Sequence, residues 1–400
     1  MRMNSVRELF YRHLGQTSPS PLALEIEKAQ GVYLYGPGGE KILDFISGIS
    51  VSNLGHNHPR VVQAVTDQAG LYMHLMVYGE LIQSPQVKLA EKLASALPPA
   101  LSAFFFVNSG SEAVEGALKL AKRITGKSKV ITFRNAYHGS TQGALSVCGN
   151  EMLKSSFRPL LPGVVILEYN ETNGLDAIDE TTAAVIVEPM QGEAGVILPS
   201  TVFLEEIRKR CDSTGALLIY DEIQTGFGRT GKLFAYEYAS VIPDILVLGK
   251  ALGGGMPMGA FISSPERMSV LSHDPVLGHI TTFGGHPVCC AAALASLELL
   301  LSGDLIASLA AKEKQIRNEL HHPLIREIRG KGLFLSVEFE NEKVNRSVVD
   351  RCIQKGLLVD WFLFAPHCMR LAPPLIISEE EIKFACATII QAMNEFTKDQ

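Results

Sequence analysis

The chain has 400 residues, 46% of them apolar and 20% charged, with a formal net charge of -6; that length exceeds one simple core and predicts a large domain with a smaller lobe. So small a charge, with no long run of Lys and Arg, offers nothing to track a phosphate backbone, and nucleic acid is excluded as a partner. The 7 cysteines form no CxxC pair and no zinc-site spacing, so free thiols and no metal are expected.

The N-terminal stretch MRMNSVRELFYRHLGQ is charged and lacks the apolar core and cleavage site of a secretory signal, so a cytoplasmic location is expected. Leu24 to Asn53 alternates apolar and polar residues around a turn at Gly36 to Gly39, which predicts a small antiparallel lobe. In LGHNHP, His56 and His58 have no third ligand nearby in sequence, and a turn beside Pro59 accounts for them. Apolar residues three and four apart predict helices in RVVQAVTDQAGLYM and SPQVKLAEKLASAL.

The middle of the chain alternates short apolar runs with helix-length segments: AFFFVNS, KVITFRN, GVVILEY, AAVIVEP, ALLIYDE and DILVLGK. This is the pattern of parallel strands covered on both faces. VCCAAALASLELLLSG, after Pro287, is too apolar for anything but a buried helix; it contains Glu298 and falls short of the ~20 residues that cross a bilayer, so no membrane contact is expected. A charged helix around AKEKQIRNELHH follows, then strands at GLFLSVEF and LLVDWFLFAP and a closing helix capped by Ser378. The expectation is an α/β protein with a mostly parallel central sheet between helices and a small α+β domain built from both termini. The expected boundaries are an N-terminal segment at 1–58, a large domain at 59–305 and a C-terminal small domain at 306–400.

Ligands of open parallel sheets bind beyond the carboxyl ends of the strands, and here those ends are polar: Asn108, Ser109 and Gly110; Glu188; Asp221 and Glu222; Gly249 and Lys250. The segment NSGSEAVEGALKLAKRITG opens a helix whose first N–H groups, at Gly110 and Ser111, can receive an anion. Ser109 or Ser111 as a simple helix cap explains the same residues. LGKALGGG is no Walker loop, since Lys250 precedes its glycines, and no GxGxxG opens a helix, so ATP and dinucleotides lose ground. A lysine buried at a strand end has its pKa lowered toward that of a neutral, imine-forming amine, and Asp221 could hold a proton on a pyridine nitrogen. An ordinary ion pair is the other reading of both.

Taken together, GHNHP (55–59), NSGSEA (108–113), YHG (137–139), EPMQGE (188–193), DEIQTGFGRTG (221–231), LGKALGGG (248–255) and TTFGGHP (281–287) closely resemble the class III aminotransferases, which use pyridoxal 5'-phosphate on a fold type I architecture. The resemblance covers almost the whole chain. It implies that Lys250 holds the cofactor as an internal imine and shuttles the substrate proton, that Asp221 pairs with the pyridinium nitrogen, and that Gln224 reaches the phenolic oxygen. It implies further that Tyr137 stacks on the ring, that Gly110 and Ser111 hold the phosphate with Thr282 of a partner subunit in a homodimer, and that Ser109, His138, Glu188 and Ile223 belong to the same cofactor-binding set.

For the substrate, the resemblance places Arg370 as the cation for an α-carboxylate, a role its planar fork suits, and Glu193 as its movable partner. A permanent structural salt bridge is the other reading. Two departures stand out. Ser140 replaces the arginine that follows the aromatic-X-Gly motif in ornithine and acetylornithine aminotransferases, and Ile49 replaces a tyrosine of the ornithine enzymes. Trp361, Phe362 and Tyr78 either line an apolar substrate pocket or simply pack in the core. The resulting expectation is transfer from an ω-amino acid, a diamine or an ornithine-like donor to an α-keto acid, with 2-oxoglutarate as acceptor. Acetylornithine or ornithine aminotransferase proper, an aminomutase, a decarboxylase, an amine phospholyase and a non-catalytic protein on the same fold are the alternatives.

Overall fold

Runs of β-branched and aromatic residues become strands along the whole chain. In the computed structural model, which describes residues 5–399, the first three are β1 (Lys28–Gln30), β2 (Tyr33–Tyr35) and β3 (Lys41–Asp44), joined as an antiparallel meander. The segment SGISVSN, expected to continue this pattern, instead turns sharply, with Gly48 and Ile49 at positive φ. The central strands are β4 (Ala103–Val107), β5 (Lys129–Phe133), β6 (Val164–Leu167), β7 (Thr182–Val187), β8 (Leu217–Asp221), β9 (Ile245–Leu248) and β10 (Gly259–Ser263).

These form a 7-stranded sheet in the order β4-β10-β9-β8-β7-β5-β6, parallel from β9 through β6, with β10 antiparallel to both β9 and β4. The strand β10 is not legible in the sequence, because GAFIS is short and follows a glycine run that reads as a loop. Period-2 alternation splits the sheet into two cores. Ile131, Phe133, Val185, Val187, Leu218, Tyr220, Leu246 and Leu248 join the core under the helices Thr201–Thr214 and Pro287–Leu301. Val130, Ala184, Ile186, Leu217, Ile219, Ile245 and Val247 meet the helix Gly110–Thr125 on the other face. Each fully buried Leu, Ile or Phe in these layers contributes about 1.5–3 kcal/mol. With both faces apolar, the strands read as continuous apolar runs, as expected.

The C-terminal part contributes β11 (Glu327–Lys331), β12 (Phe334–Glu338), β13 (Leu357–Leu358), β14 (Asp360–Trp361) and β15 (Cys368–Leu371). The single strand expected across LLVDWFLFAP is two short pieces in different sheets: β13 pairs in parallel with β3, so the sheet β1-β2-β3-β13 joins the two ends of the chain, while β14 belongs to β11-β12-β15-β14. β15 was not anticipated, and it carries Arg370 directly opposite Ser336 of β12 and Asp360 of β14. Ser378 caps the closing helix Glu379–Lys398 as expected, in a full capping box with Glu381. Among the described residues no single helix is long and apolar enough to cross a membrane.

Candidate active site

The carboxyl ends of β7, β8 and β9 and the N-terminus of the helix Gly110–Thr125 meet around a cavity of about 200 Å³. It is lined by Ser109, Gly110, Ser111, Tyr137, His138, Gly139, Glu188, Asp221, Ile223, Gln224, Thr225 and Lys250. Larger clefts exist, including one of about 690 Å³, but this is the one where buried acids, an amine and a helix N-terminus converge.

Lys250 follows β9 through an extended Gly249 and itself sits at φ 47, a left-handed conformation that costs a non-glycine residue about 1 kcal/mol. A Cβ on Gly249 would lie 3.2 Å from the Gly110 Cα and from the Ile223 side chain, so the two chain segments pass closely here. Burial lowers the pKa of the Lys250 amine, against the attraction of Glu193, and Arg370 lowers it further.

Asp221 does not pair with Lys250. Its Oδ2 lies 2.7 Å from His138 Nδ1, and its Oδ1 accepts the N–H of Ile223 at 3.0 Å, so the carboxylate is fixed at both oxygens. His138 Nε2 is buried without a partner. Glu188 accepts the backbone N–H groups of Tyr137 (3.1 Å) and Gly192 (2.8 Å). Burial, relieved by His138 and reinforced by Asp221, pushes its carboxyl up to about 7.

At the helix start, the capping role falls to Ser109. Ser109 is the N-cap and accepts the Glu112 N–H at 3.2 Å, while Glu112 accepts the Asn108 N–H at 2.8 Å. The N–H groups of Gly110 and Ser111 remain the unshared donors of the first turn. Ser111 Oγ accepts the Ser140 N–H at 3.2 Å, and a Cβ on Gly139, at φ 131, would fall 2.2 Å from that oxygen. The loop after β5 therefore closes tightly over the helix end.

Gln224 donates to Glu193 Oε1 at 3.4 Å, and Glu193 Oε2 accepts from Arg370 Nη2 at 2.9 Å and from the Leu363 N–H at 3.0 Å. Burial opposes ionisation of Glu193, but the charges of Arg370 and Lys250 and these hydrogen bonds hold it below the usual glutamate range. Phe362 is buried with its ring 4.6 Å from the Arg370 guanidinium, and Trp361 stacks under Arg346.

Of the expected residues, Glu193 and Arg370 do not line this cavity but adjoin it through Gln224, and two others lie apart from it. Tyr78 lines the separate cleft of about 690 Å³ with Phe104, Phe106 and Thr281, and Thr282 does not line the Lys250 cavity. His56 of the GHNHP turn is 2.8 Å from Asp44. Asp360, whose Oδ1 is 3.3 Å from Arg370 Nε, is a residue that sequence reasoning missed, because only the β14–β15 register brings it there.

The chain matches the family described as Aminotransferase class-III over residues 15–393. It belongs to the class III aminotransferases. It is similar to the acetylornithine aminotransferase of Methanopyrus kandleri, with 39% identity over 97% of this chain and 98% of that protein. Its structure resembles the ornithine aminotransferase of Toxoplasma gondii ME49, with a TM-score of 0.92 and 31% identity over 100% of this chain and 97% of that one. It also resembles an amine transaminase from an uncultivated Pseudomonas species in its PLP-bound form, with a TM-score of 0.87 and 27% identity over 96% and 98% of the two chains. This class III aminotransferase is thus an enzyme of fold type I that uses pyridoxal 5'-phosphate and acts on small molecules. The donor set fits that group: a helix N-terminus for a phosphate, a buried carboxylate for a ring nitrogen, and a lysine of lowered pKa for an aldehyde.

Proposed function

We propose that this aminotransferase moves an amino group from an ω-amino acid, a diamine or an ornithine-like donor to 2-oxoglutarate, alternating between two half-reactions in a homodimer with shared sites. The observation that carries the reading is the buried Arg370–Glu193 pair, 2.9 Å apart, together with Ser140, next to the cavity-lining Gly139, at the position where the resemblance places a second arginine.

When bound, pyridoxal phosphate supplies an electron sink for the negative charge left on a substrate carbon that loses its proton. Asp221, immobilised by His138 and the Ile223 N–H, keeps a proton on the ring nitrogen and so keeps that sink strong. The free N–H groups of Gly110 and Ser111 hold the phosphate against the positive end of the helix, with Ser109 fixing the turn. Tyr137, Ile223 and Glu188 line the cavity and would wall the ring, and Gln224 would hydrogen-bond its phenolic oxygen. Lys250 would hold the cofactor's aldehyde through Nζ, and the same amine, with its lowered pKa, would be the base that moves the substrate proton.

Glu193 neutralises Arg370 while an amine without a nearby carboxylate is in the site. When glutamate or 2-oxoglutarate enters, Glu193 turns aside and the guanidinium fork takes the α-carboxylate. Thr282, outside its own chain's cavity, serves the partner subunit's phosphate site. Exposed apolar residues such as Leu71, Met73, Ile82, Val276 and Phe283 support a face covered by that second copy.

Glutamate added to the purified holoenzyme should bleach the cofactor's visible band. In a donor panel ranked by kcat/KM with 2-oxoglutarate, 4-aminobutyrate, ornithine and diamines should exceed acetylornithine. A band unchanged by glutamate overturns the acceptor assignment.

A further inference from the structure

Arg370 faces two carboxylates that come from different parts of the chain. Glu193, in the loop after β7, meets Nη2 at 2.9 Å, and Asp360, on β14, faces Nε at 3.3 Å. The two acids are held differently. Glu193 depends on loop contacts to Leu363 and Gln224, whereas Asp360 stands opposite Arg370 in an antiparallel ladder, so its position is set by the same backbone pairing that sets Arg370. Both residues are sequestered, with Arg370 side-chain exposure at 2% and that of Asp360 at 17%.

An incoming carboxylate binds an arginine best through two parallel N–H groups. Asp360 lies beside Nε as an ion pair without a hydrogen bond, Nη1 is buried without a partner, and Nη2 is held by Glu193 and by the Trp361 carbonyl, so the Nη1–Nη2 edge opens only after Glu193 has moved. The backbone of Asp360 is fixed opposite Arg370 by the β14–β15 pairing, so this acid stays beside Arg370 even when Glu193 has left. Resting on the reading of Arg370 as the carboxylate site, we infer that Asp360 is a specificity-determining residue, a fixed second counter-ion that weakens substrate carboxylates at Arg370 and weights the enzyme toward donors that bring none.

The electrostatics agree with the geometry. Burial pushes the Asp360 carboxyl up to about 7, Arg370 pulls it down, and Glu193 and Asp44 push it up; Asp44 is itself paired with His56. Departure of Glu193 removes one of the anions that oppose ionisation of Asp360. Above about pH 7 Asp360 carries a charge that repels an arriving carboxylate.

The test uses the holoenzyme and glutarate, a dicarboxylate that cannot react, titrated against wild type, Asp360→Asn, Asp360→Ser and Arg370→Ala by the change in cofactor absorbance. At about pH 8.5, where Asp360 is ionised, both Asp360 variants should bind glutarate about tenfold more tightly than wild type. Their kcat/KM for a diamine donor should change by less than about twofold, because that half-reaction leaves Glu193 on Arg370. Unchanged or weaker glutarate binding in the Asp360 variants, or a diamine kcat/KM that shifts as much as glutarate affinity, overturns the proposal and leaves Asp360 a structural partner. Undiminished glutarate binding to Arg370→Ala instead overturns the carboxylate-site reading, and the role of Asp360 with it.

Discussion

His138 Nδ1 and Asp221 Oδ2 lie 2.7 Å apart, with side-chain exposures of 0% and 3%. A pair so enclosed cannot reorient toward water, and the Ile223 N–H on Oδ1 leaves the carboxylate no freedom to rotate. Asp221→Asn keeps the shape and removes the charge, so it should lower kcat by about 10²–10³. His138→Ala, which frees the carboxylate but keeps its charge, should cost about 10–100-fold, as loss of an orienting group does elsewhere. Pre-steady-state half-reaction rates with glutamate check both.

Lys250 sits in a strained backbone conformation with an amine whose pKa burial lowers. Borohydride should fix the cofactor covalently to the wild-type chain, read as a mass increase on the peptide that contains Lys250. Lys250→Ala should show no such increase and lose at least about 10²-fold in kcat. Covalent fixation on another lysine would reassign the residue.

The Arg370–Glu193 pair should separate the two half-reactions. Glu193→Gln leaves Arg370 with reduced compensation, so kcat/KM for diamines should fall about tenfold while that for glutamate holds or rises. A parallel loss for both donors would mark the pair as a structural salt bridge.

Glu222, fully buried, accepts hydrogen bonds from Thr225 and the Tyr236 N–H, and burial pushes its carboxyl up from 4.5 to about 7. Because the folded pKa is the higher one, the folded state binds the extra proton. The stability this gives is fully present below about pH 4.5 and is lost as pH rises through 7, a change of about 3 kcal/mol. Glu222→Gln should flatten this part of the curve in denaturant titrations across that window.

Gly116 lies inside the helix Gly110–Thr125, where Ala ordinarily stabilises by about 0.5–1 kcal/mol. Here a Cβ would fall 2.2 Å from the ring of Phe261 on β10. Gly116→Ala should therefore destabilise by about 1–3 kcal/mol, measured as a lower thermal midpoint. A rise in the midpoint would mean that the ring moves aside at no cost.

Most of the fold was legible because its signals are local. Apolar runs such as AAVIV and ALLIY mark strands buried on both faces, and the strand-end residues Glu188, Asp221 and Lys250 follow from where those runs stop. The N-cap at Ser378 was likewise a matter of adjacent residues. β10 and β15 were missed because each is short, is buried on both sides and has no alternation of its own.

By itself, the sequence determined which residues end the strands, that a helix opens at Gly110 and its flanking serines, and the resemblance that joins them to one cofactor. These are properties of neighbours along the chain, and propensity and spacing express them directly. The tertiary structure alone decided that Asp221 belongs to His138 and not to Lys250, that Tyr78 and Thr282 lie apart from their own chain's cavity, and that Asp360 stands across from Arg370. Those relations depend on crossovers and on strand register. Moving a strand by one residue would send every one of its side chains to the opposite face, so no reading of adjacent residues reaches them.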